Sequence, residues 1–420
     1  MFRFLHAADI HLDSPLRGIE SYRDAPVEQI RTAARRAFDN LVDLAVDEEV
    51  AFVLIAGDLY DGDWKDYNTG LYFVNRMGRL REAGIPVFLV SGNHDAANQI
   101  TRALPLPDNV TLFAHRRCET HFLSAYGVAI HGQSFSAKAV SDDLTRNYPQ
   151  GDPALFNIGL LHTSLNGRPG HENYAPCTLD ALRAKGYQYW ALGHVHQREE
   201  ICRDPWIVFS GNIQGRHIRE SGAKGCTLVT VNEGEVTGVE TRELDVLRWS
   251  LCRVDATGCE RTETLLERIR ERFDKERESA GGRPVVLRLM VTGETPLHNH
   301  LYRSGAHWQE ECRAAAAGLG DVWLEKILLH TGRKERQDEA PGEDSPLATL
   351  RQAVTLCRFE SSRLLDLVAE FERLRSRLPA DLLSDGDPFS PEEEALEELL
   401  EEVKELLTAK IIHQGGNHAD

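Results

Sequence analysis

Apolar residues along the first 245 positions fall into two alternating rhythms. Short continuous runs such as "RFLHAA", "AFVLIAG" and "VFLV" are too brief for helices and carry no polar face, as strands buried on both sides do. Between them, Ile30, Ala34, Phe38, Leu41, Leu44 and Ala45 recur at helical spacing, so 27–48 and the similarly patterned 69–83 are expected as helices. Further strands are expected at 126–131, 156–162, 187–192, 206–210, 226–231 and 235–243. Strand–helix alternation with short connections gives an α/β layered domain over 1–245. In such domains, sites collect just past the carboxyl ends of strands.

A second, smaller α/β module is expected over 246–330. It would take "VLRWSLCRV", "PVVLRLMVTG" and "DVWLEKILL" as strands and 262–278 and 306–318 as helices. Polar residues 331–345 read as a linker, and 346–420 as a helical region with an acidic tail. Within that region, 346–378 carries an apolar stripe through Leu347, Leu350, Val354, Leu364, Leu367 and Phe371. The 391–412 segment sets Leu396, Leu399, Leu400, Val403, Leu406, Leu407 and Ile411 against a face of glutamates. Such stripes either dock a partner helix or pair with each other as a hairpin.

Composition narrows the class. An apolar share of 41% and a charged share of 27% are those of a soluble globular chain, and 420 residues exceed one ordinary core. There is no signal-like start and no apolar run long enough to span a bilayer, so a cytoplasmic protein without a membrane segment is expected. Eight scattered cysteines without a CxxC pair suit reduced thiols. The net charge of −18 argues at first against a polyanionic substrate. Residues 381–407, however, carry eleven acids against Lys404, a net of −10, which leaves −8 for everything else. The acidity belongs to a tail and says little about an active site.

The candidate chemistry lies at the strand ends. "VFLVSGNHD" ends an apolar run in Asn93, His94 and Asp95. "HAADIHLD" presents Asp9 and His11 at i, i+2, a spacing that in extended chain points both side chains one way. "LIAGDLYDGD" presents Asp58, "GLLHTS" presents His162, and "WALGHVHQR" presents His194 and His196. One such residue is usually a turn former or a satisfied surface group; five strand ends with convergent chemistry are not. Two carboxylates, one amide and four imidazoles form a mixed N/O set without thiolates, which argues against a structural zinc or iron–sulfur site. Seven ligands are too many for one tetrahedral ion. If one carboxylate bridges, two ions reach four protein ligands each, the established clamp for in-line displacement at phosphorus. The donor set suits Mn²⁺, with Fe²⁺ or Zn²⁺ as alternatives.

The ordered set "DIH … GD … GNHD … H … GHVH" resembles the calcineurin-like metallophosphoesterases. "YWALGHVHQRE", "HENYAPCTL" and "SGNIQGRHIRE" resemble, more narrowly, the SbcD-like and YhaO-type DNA repair exonucleases among them. The resemblance covers 1–245 and extends more weakly through 246–330, which it makes a capping, DNA-binding module. It implies one ion held by Asp9, His11, Asp58 and His196 and another by Asp58, Asn93, His162 and His194, Asp58 bridging. His94 matches the catalytic histidine of the family; Asp95 would orient its ring or serve as a helix cap. Some relatives carry a histidine three residues after the bridging aspartate, where this chain has Asp61, and the role of that position stays open.

Arg216, His217 and Arg219 in "GRHIRE", and His171, are candidates for substrate phosphate, with surface ion pairing as the plain alternative. His6, His115, His121 and His131 lack partners at ligand spacing and are expected to be structural. The reading that follows is a two-metal DNA nuclease, the exonuclease subunit of a complex with an SMC-like coiled-coil ATPase. The resemblance adds a possible homodimer through the catalytic domain. The alternatives are a phosphomonoesterase or small-molecule phosphodiesterase on the same site, and a scaffold that has lost catalysis. The intact ligand set disfavours the last.

Overall fold

The computed structural model describes residues 1–14, 27–61, 67–97, 105–166 and 174–332, with Ala353 and Lys404 beyond them. The predicted helices over 346–378 and 391–412, and His171, lie outside the described residues.

Alternate residues of the first strands face opposite ways, and both faces are covered. In β1 (Phe2–Ala7), Leu5 and Ala7 point to a layer of helices, whereas Phe4 belongs to a separate core on the other side. β2 (Phe52–Ile55) and β3 (Val87–Leu89) repeat the division, with Phe52, Leu54 and Phe88 on the Phe4 side. Burial on both faces is why these segments read as unbroken apolar runs. Helices Ala33–Asp47 and Tyr67–Glu82 close the first face with Phe38, Leu41, Val42, Phe73, Met77 and Leu80.

The Phe4 side meets a second sheet. β4 (Val110–Leu112), β11 (Gly225–Asn232) and β12 (Glu235–Glu243) complete the first sheet in the order β12-β11-β1-β2-β3-β4, the last four strands parallel. The second sheet runs β5-β6-β7-β8-β10-β9. Its strands are β5 (Glu119–Leu123), β6 (Val128–Gly132), β7 (Phe156–His162), β8 (Tyr189–Gly193), β9 (Glu199–Arg203) and β10 (Trp206–Phe209). β6, β7, β8 and β10 are parallel, with antiparallel edges. Phe4 and Phe52 stack at 4.9 Å between centroids, and Tyr189 meets Phe4 edge-on at 5.3 Å. His6 crosses the same layer: its ring nitrogens contact the Tyr189 hydroxyl (3.0 Å) and the Leu192 carbonyl (3.1 Å). The outer face of the second sheet is covered by Phe135, Leu144, Tyr148, Leu165 and Leu182.

Three strands, β4, β5 and β9, were not expected from the sequence. They are edge or near-edge segments, half-exposed, so their side chains lack the continuous apolar run of the central strands.

The described residues form two compact units, the first from residues before Leu251 with Ala280–Val286, the second from Leu251–Ser279 and from Leu287 onward. A separate three-stranded sheet has the order β13 (Arg248–Asp255), β14 (Val285–Glu294), β15 (Val322–Gly332). Helix Thr262–Ser279 buries Leu265, Ile269 and Phe273, and Gly305–Ala317 buries Trp308 and Cys312.

Candidate metal centre

Five strands end at one place. β1 and β2 deliver Asp9, His11 and Asp58, β3 delivers Asn93, and β7 and β8 deliver His162, His194 and His196. The first loops keep pairing after the strands stop: Asp9 N–H donates to the Gly57 carbonyl and His11 N–H to the Asp58 carbonyl, both at 3.0 Å. The backbone there is not extended, as the i, i+2 argument assumed. Asp9, His11, Asp58 and His194 have φ of 49°, 48°, 52° and 102°. The side chains converge through left-handed residues, each costing about 1–3 kcal/mol, which the surrounding fold must enforce. Gly92 and Gly193 permit the approach of the loops. A Cβ on Gly92 would lie 2.3 Å from Asp58 Oδ1, and one on Gly193 would lie 2.0 Å from the Ala56 carbonyl oxygen.

The seven expected residues come together. Asp9, His11 and His196 offer ligand atoms within 4.8 Å of one another, and so do Asp9, Asp58 and His162. Asn93 Oδ1 lies 3.0 Å from His162 Nε2, and the His194 ring sits 5.2 Å from that of His162. Asp58 lies between the groups, with Oδ2 3.5 Å from His162 Nε2 and 4.0 Å from His11 Nε2. Backbone contacts orient the set. His162 Nδ1 faces the Ala56 carbonyl at 2.9 Å, which leaves Nε2 bare, and Asp9 accepts the His194 N–H on both oxygens at 3.1 Å.

The residues fit a pair of cations. His11 Nε2 and His196 Nε2 face each other at 3.3 Å, close enough for one cation to take a lone pair from each ring. Burial, aided by the Arg216 charge, takes His11 down to about 3, and burial also lowers His162, so both rings stand neutral as ligands require. Asp9 and Asp58 are both buried. Burial and the Asp58 charge push Asp9 well above the usual carboxylate range. Burial opposes ionisation of Asp58 as well, but the imidazoles of His162, His94 and His11 hold it low. Two facing carboxylates in so dry a site call for positive charge between them.

His94 stands beside this set, its side chain one-third exposed. It is near enough to group with His11 and Asp58, but Nδ1 contacts Asp61 Oδ1 at 2.9 Å, leaving Nε2 as its available nitrogen. Burial works against the charged ring, yet Asp61 and Asp58 outweigh it and raise its pKa. The orienting acid is therefore Asp61, not Asp95. The Asp95 carboxylate is spent on the backbone N–H groups of Tyr60 (2.9 Å), Gly92 (3.0 Å) and Leu59 (3.2 Å). It clasps the β2 and β3 loops together, and burial, with the Asp58 charge, raises it to about 7.

Of the phosphate candidates, Arg216 reaches the centre but is engaged there: Nη2 lies 2.7 Å from Glu220 Oε1 and Nη1 3.7 Å from Asp61 Oδ2. His217 also faces Glu220, at 3.5 Å, and Arg219 is exposed. Sequence reading missed Glu220, because an acid closing "GRHIRE" resembles any surface residue. It singled out Asp61 but left its role open, since spacing alone did not say what the acid would meet. His6 and His131 are structural as expected; His131 stacks on Tyr187 at 4.6 Å and its Nδ1 contacts Thr120 Oγ1 at 2.8 Å.

Comparison with known proteins agrees with this geometry. Residues 2–198 match the family "Calcineurin-like phosphoesterase", and 249–332 match "Metallophosphoesterase YhaO, middle domain". The chain is 36% identical to "Uncharacterized metallophosphoesterase YhaO" of Bacillus subtilis (strain 168), over 79% of each chain. It is 24% identical to the "DNA double-strand break repair protein Mre11" of Sulfurisphaera tokodaii, over 66% of this chain and 70% of that one. Among the described residues, no helix is long and apolar enough to cross a membrane. With these residues gathered at the strand ends, this chain belongs to the calcineurin-like metallophosphoesterases, hydrolases of phosphoester bonds with a dinuclear metal site, in the branch that carries the YhaO middle domain.

Proposed function

We propose that the chain is a two-metal nuclease that hydrolyses phosphodiester bonds of DNA, with Mn²⁺ as the metal its N/O donor set suits best. Asp9, His11, Asp58 and His196 would hold one ion, and Asp58, Asn93, His162 and His194 the other. When bound, the ions neutralise charge on the phosphate and activate the attacking water. His94 gives a proton from Nε2 to the leaving oxygen, and Asp61, 2.9 Å from Nδ1, holds the ring for that transfer. Asp95 keeps the loops carrying Asp58 and Asn93 in register.

The observation that carries DNA as substrate is the reach of the likeness to the Mre11 repair protein. It runs over 293 residues, longer than the 2–198 phosphoesterase match, so it extends past the catalytic fold. A phosphoesterase of small molecules needs no such extension. In this reading 246–330 covers the DNA, and 346–412 docks the coiled-coil base of an SMC-like ATPase. A homodimer through the catalytic domain belongs to the same proposal.

The test incubates the full chain and Mn²⁺ with linear duplex DNA and, separately, with p-nitrophenyl phosphate. Degradation of DNA with slow release of p-nitrophenol supports the proposal. Rapid monoester hydrolysis with intact DNA would replace it by a phosphomonoesterase. For the partner, deletion of residues 381–420 is expected to leave Mn²⁺-dependent cleavage in place and abolish co-purification with the ATPase. Co-purification of the truncated chain would remove the docking role.

A further inference from the structure

Glu220 closes the "GRHIRE" segment and is 3% exposed, although it carries a carboxylate on a three-residue turn, Ile218–Glu220. Four donors explain how it stays charged there. His196 Nδ1 lies 2.7 Å from Oε1, as does Arg216 Nη2. The Arg216 backbone N–H and the Asn212 amide donate to Oε2 at 2.8 and 2.9 Å. Burial alone would raise its pKa, but the Arg216 charge and the hydrogen bonds from His196 and Arg216 keep it well below the usual carboxylate range.

The contact with His196 fixes where that ring keeps its proton. Arg216 Nη2 also lies 3.3 Å from His196 Nδ1, and a guanidinium can only donate. The two contacts therefore ask for opposite tautomers. The shorter contact to an anion outweighs the longer one from a cation whose own partner is that same anion. The proton belongs on Nδ1, and the bare Nε2 faces His11.

We propose that Glu220 is a positioning residue of the metal centre, fixing His196 in its ligand tautomer and neutralising Arg216 beside the site. Neutralisation matters because Arg216 sits between Glu220 and Asp61, with its guanidinium 3.3 Å from the His196 ring. Left alone, the guanidinium would repel an ion held by Asp9, His11 and His196. The inference rests on the dinuclear reading and adds a residue that carries no ligand atom. Outer partners of this kind change metal affinity by about 10–100-fold.

The experiment compares full-length wild type with Glu220→Ala and Glu220→Gln. Mn²⁺ binding is measured by equilibrium dialysis and mass spectrometry, and the His196 ring by ¹⁵N NMR of metal-free protein. Wild type is expected to bind two ions and show His196 protonated on Nδ1. Glu220→Ala is expected to weaken one ion by about 10–100-fold, leave the other within about threefold, and populate both tautomers. Glu220→Gln keeps an acceptor for Nδ1 but no charge against Arg216, and is expected to recover the tautomer and only part of the affinity, between the Ala variant and wild type. If Glu220→Ala does not fold, Glu220→Asp takes its place, since the shorter chain withdraws the carboxylate from Nδ1. Wild type binding no Mn²⁺ overturns the dinuclear reading. Wild type binding two ions, with the Ala or Asp variant binding both equally well, overturns only the role of Glu220. A Gln variant that restores the Nδ1 tautomer yet binds as weakly as Ala overturns the positioning of His196, because the lost charge beside Arg216 would then account for the whole effect.

Discussion

Asp61→Asn isolates the part of catalysis assigned to His94. The exchange keeps an oxygen where Asp61 Oδ1 now lies, 2.9 Å from His94 Nδ1, but removes its charge. A hydrogen bond to a charged group contributes about 1.5–3 kcal/mol and a neutral one about 1, so the imidazolium loses about 0.5–2 kcal/mol. His94 is one-third exposed and solvent screens part of this, so the lower half of that range applies, about 2–8-fold. At pH 8, above the ordinary titration of histidine, the proton-carrying ring becomes scarcer by that factor. Cleavage of DNA, whose leaving alkoxide needs a proton, is expected to slow by the same factor of about 2–8, set by this lost charge interaction. The assay measures kcat at pH 8 on a DNA duplex and on bis(p-nitrophenyl) phosphate, whose leaving phenolate needs no proton. The variant should lose rate on DNA and keep it on the phenolate ester. Equal losses on both would show that Asp61 supports the metal centre or the fold, not the proton transfer.

Three further outcomes follow from particular contacts. A Cβ on Gly92 would lie 2.3 Å from Asp58 Oδ1 and 2.9 Å from Asp58 N, so Gly92→Ala should reduce Mn²⁺ affinity for both ions by more than about tenfold, as read by equilibrium dialysis. Burial between the sheets lowers His6 to about 3, against 6.5 unfolded, so its contribution to stability is present above pH 6.5 and lost as pH falls toward 3. Between pH 6.5 and 5 this amounts to about 2 kcal/mol, and urea unfolding of metal-free His6→Gln should show a pH dependence smaller by about that much. Gly159→Ala would place a methyl 2.2 Å from the Trp190 ring, and the urea midpoint should report a loss of about 1–3 kcal/mol with metal binding unchanged.

The central strands and the polar residues gathered at their ends were legible in the sequence because the same physics writes both. A strand covered on both faces must be apolar throughout, so Asp9, Asp58, Asn93, His162 and His194 stand out at the points where the runs stop. Helices Ala33–Asp47 and Tyr67–Glu82 showed through their three- and four-residue spacing. What did not show depends on contacts between distant segments. Asp61 meets His94 33 positions later, and Glu220 meets His196 24 positions earlier, and neither spacing has a local signature. Asp95 follows His94 directly, which suggested a pair, but adjacent residues on a helical turn diverge and its carboxylate turns back to the β2 loop. The edge strands β4, β5 and β9 were hidden because half-exposed strands have no reason to be uniformly apolar.

The central claim is that Asp58 joins two ions in one centre. Mass-spectrometric counting of Mn²⁺ per chain, after dialysis of wild type, Asp58→Asn and His11→Ala, tests it most directly. Two ions in wild type, nearly none in Asp58→Asn and about one in His11→Ala are the expected result, since the ligand assignment gives His11 to a single ion. One ion in wild type, or equal losses from both variants, would contradict the shared centre.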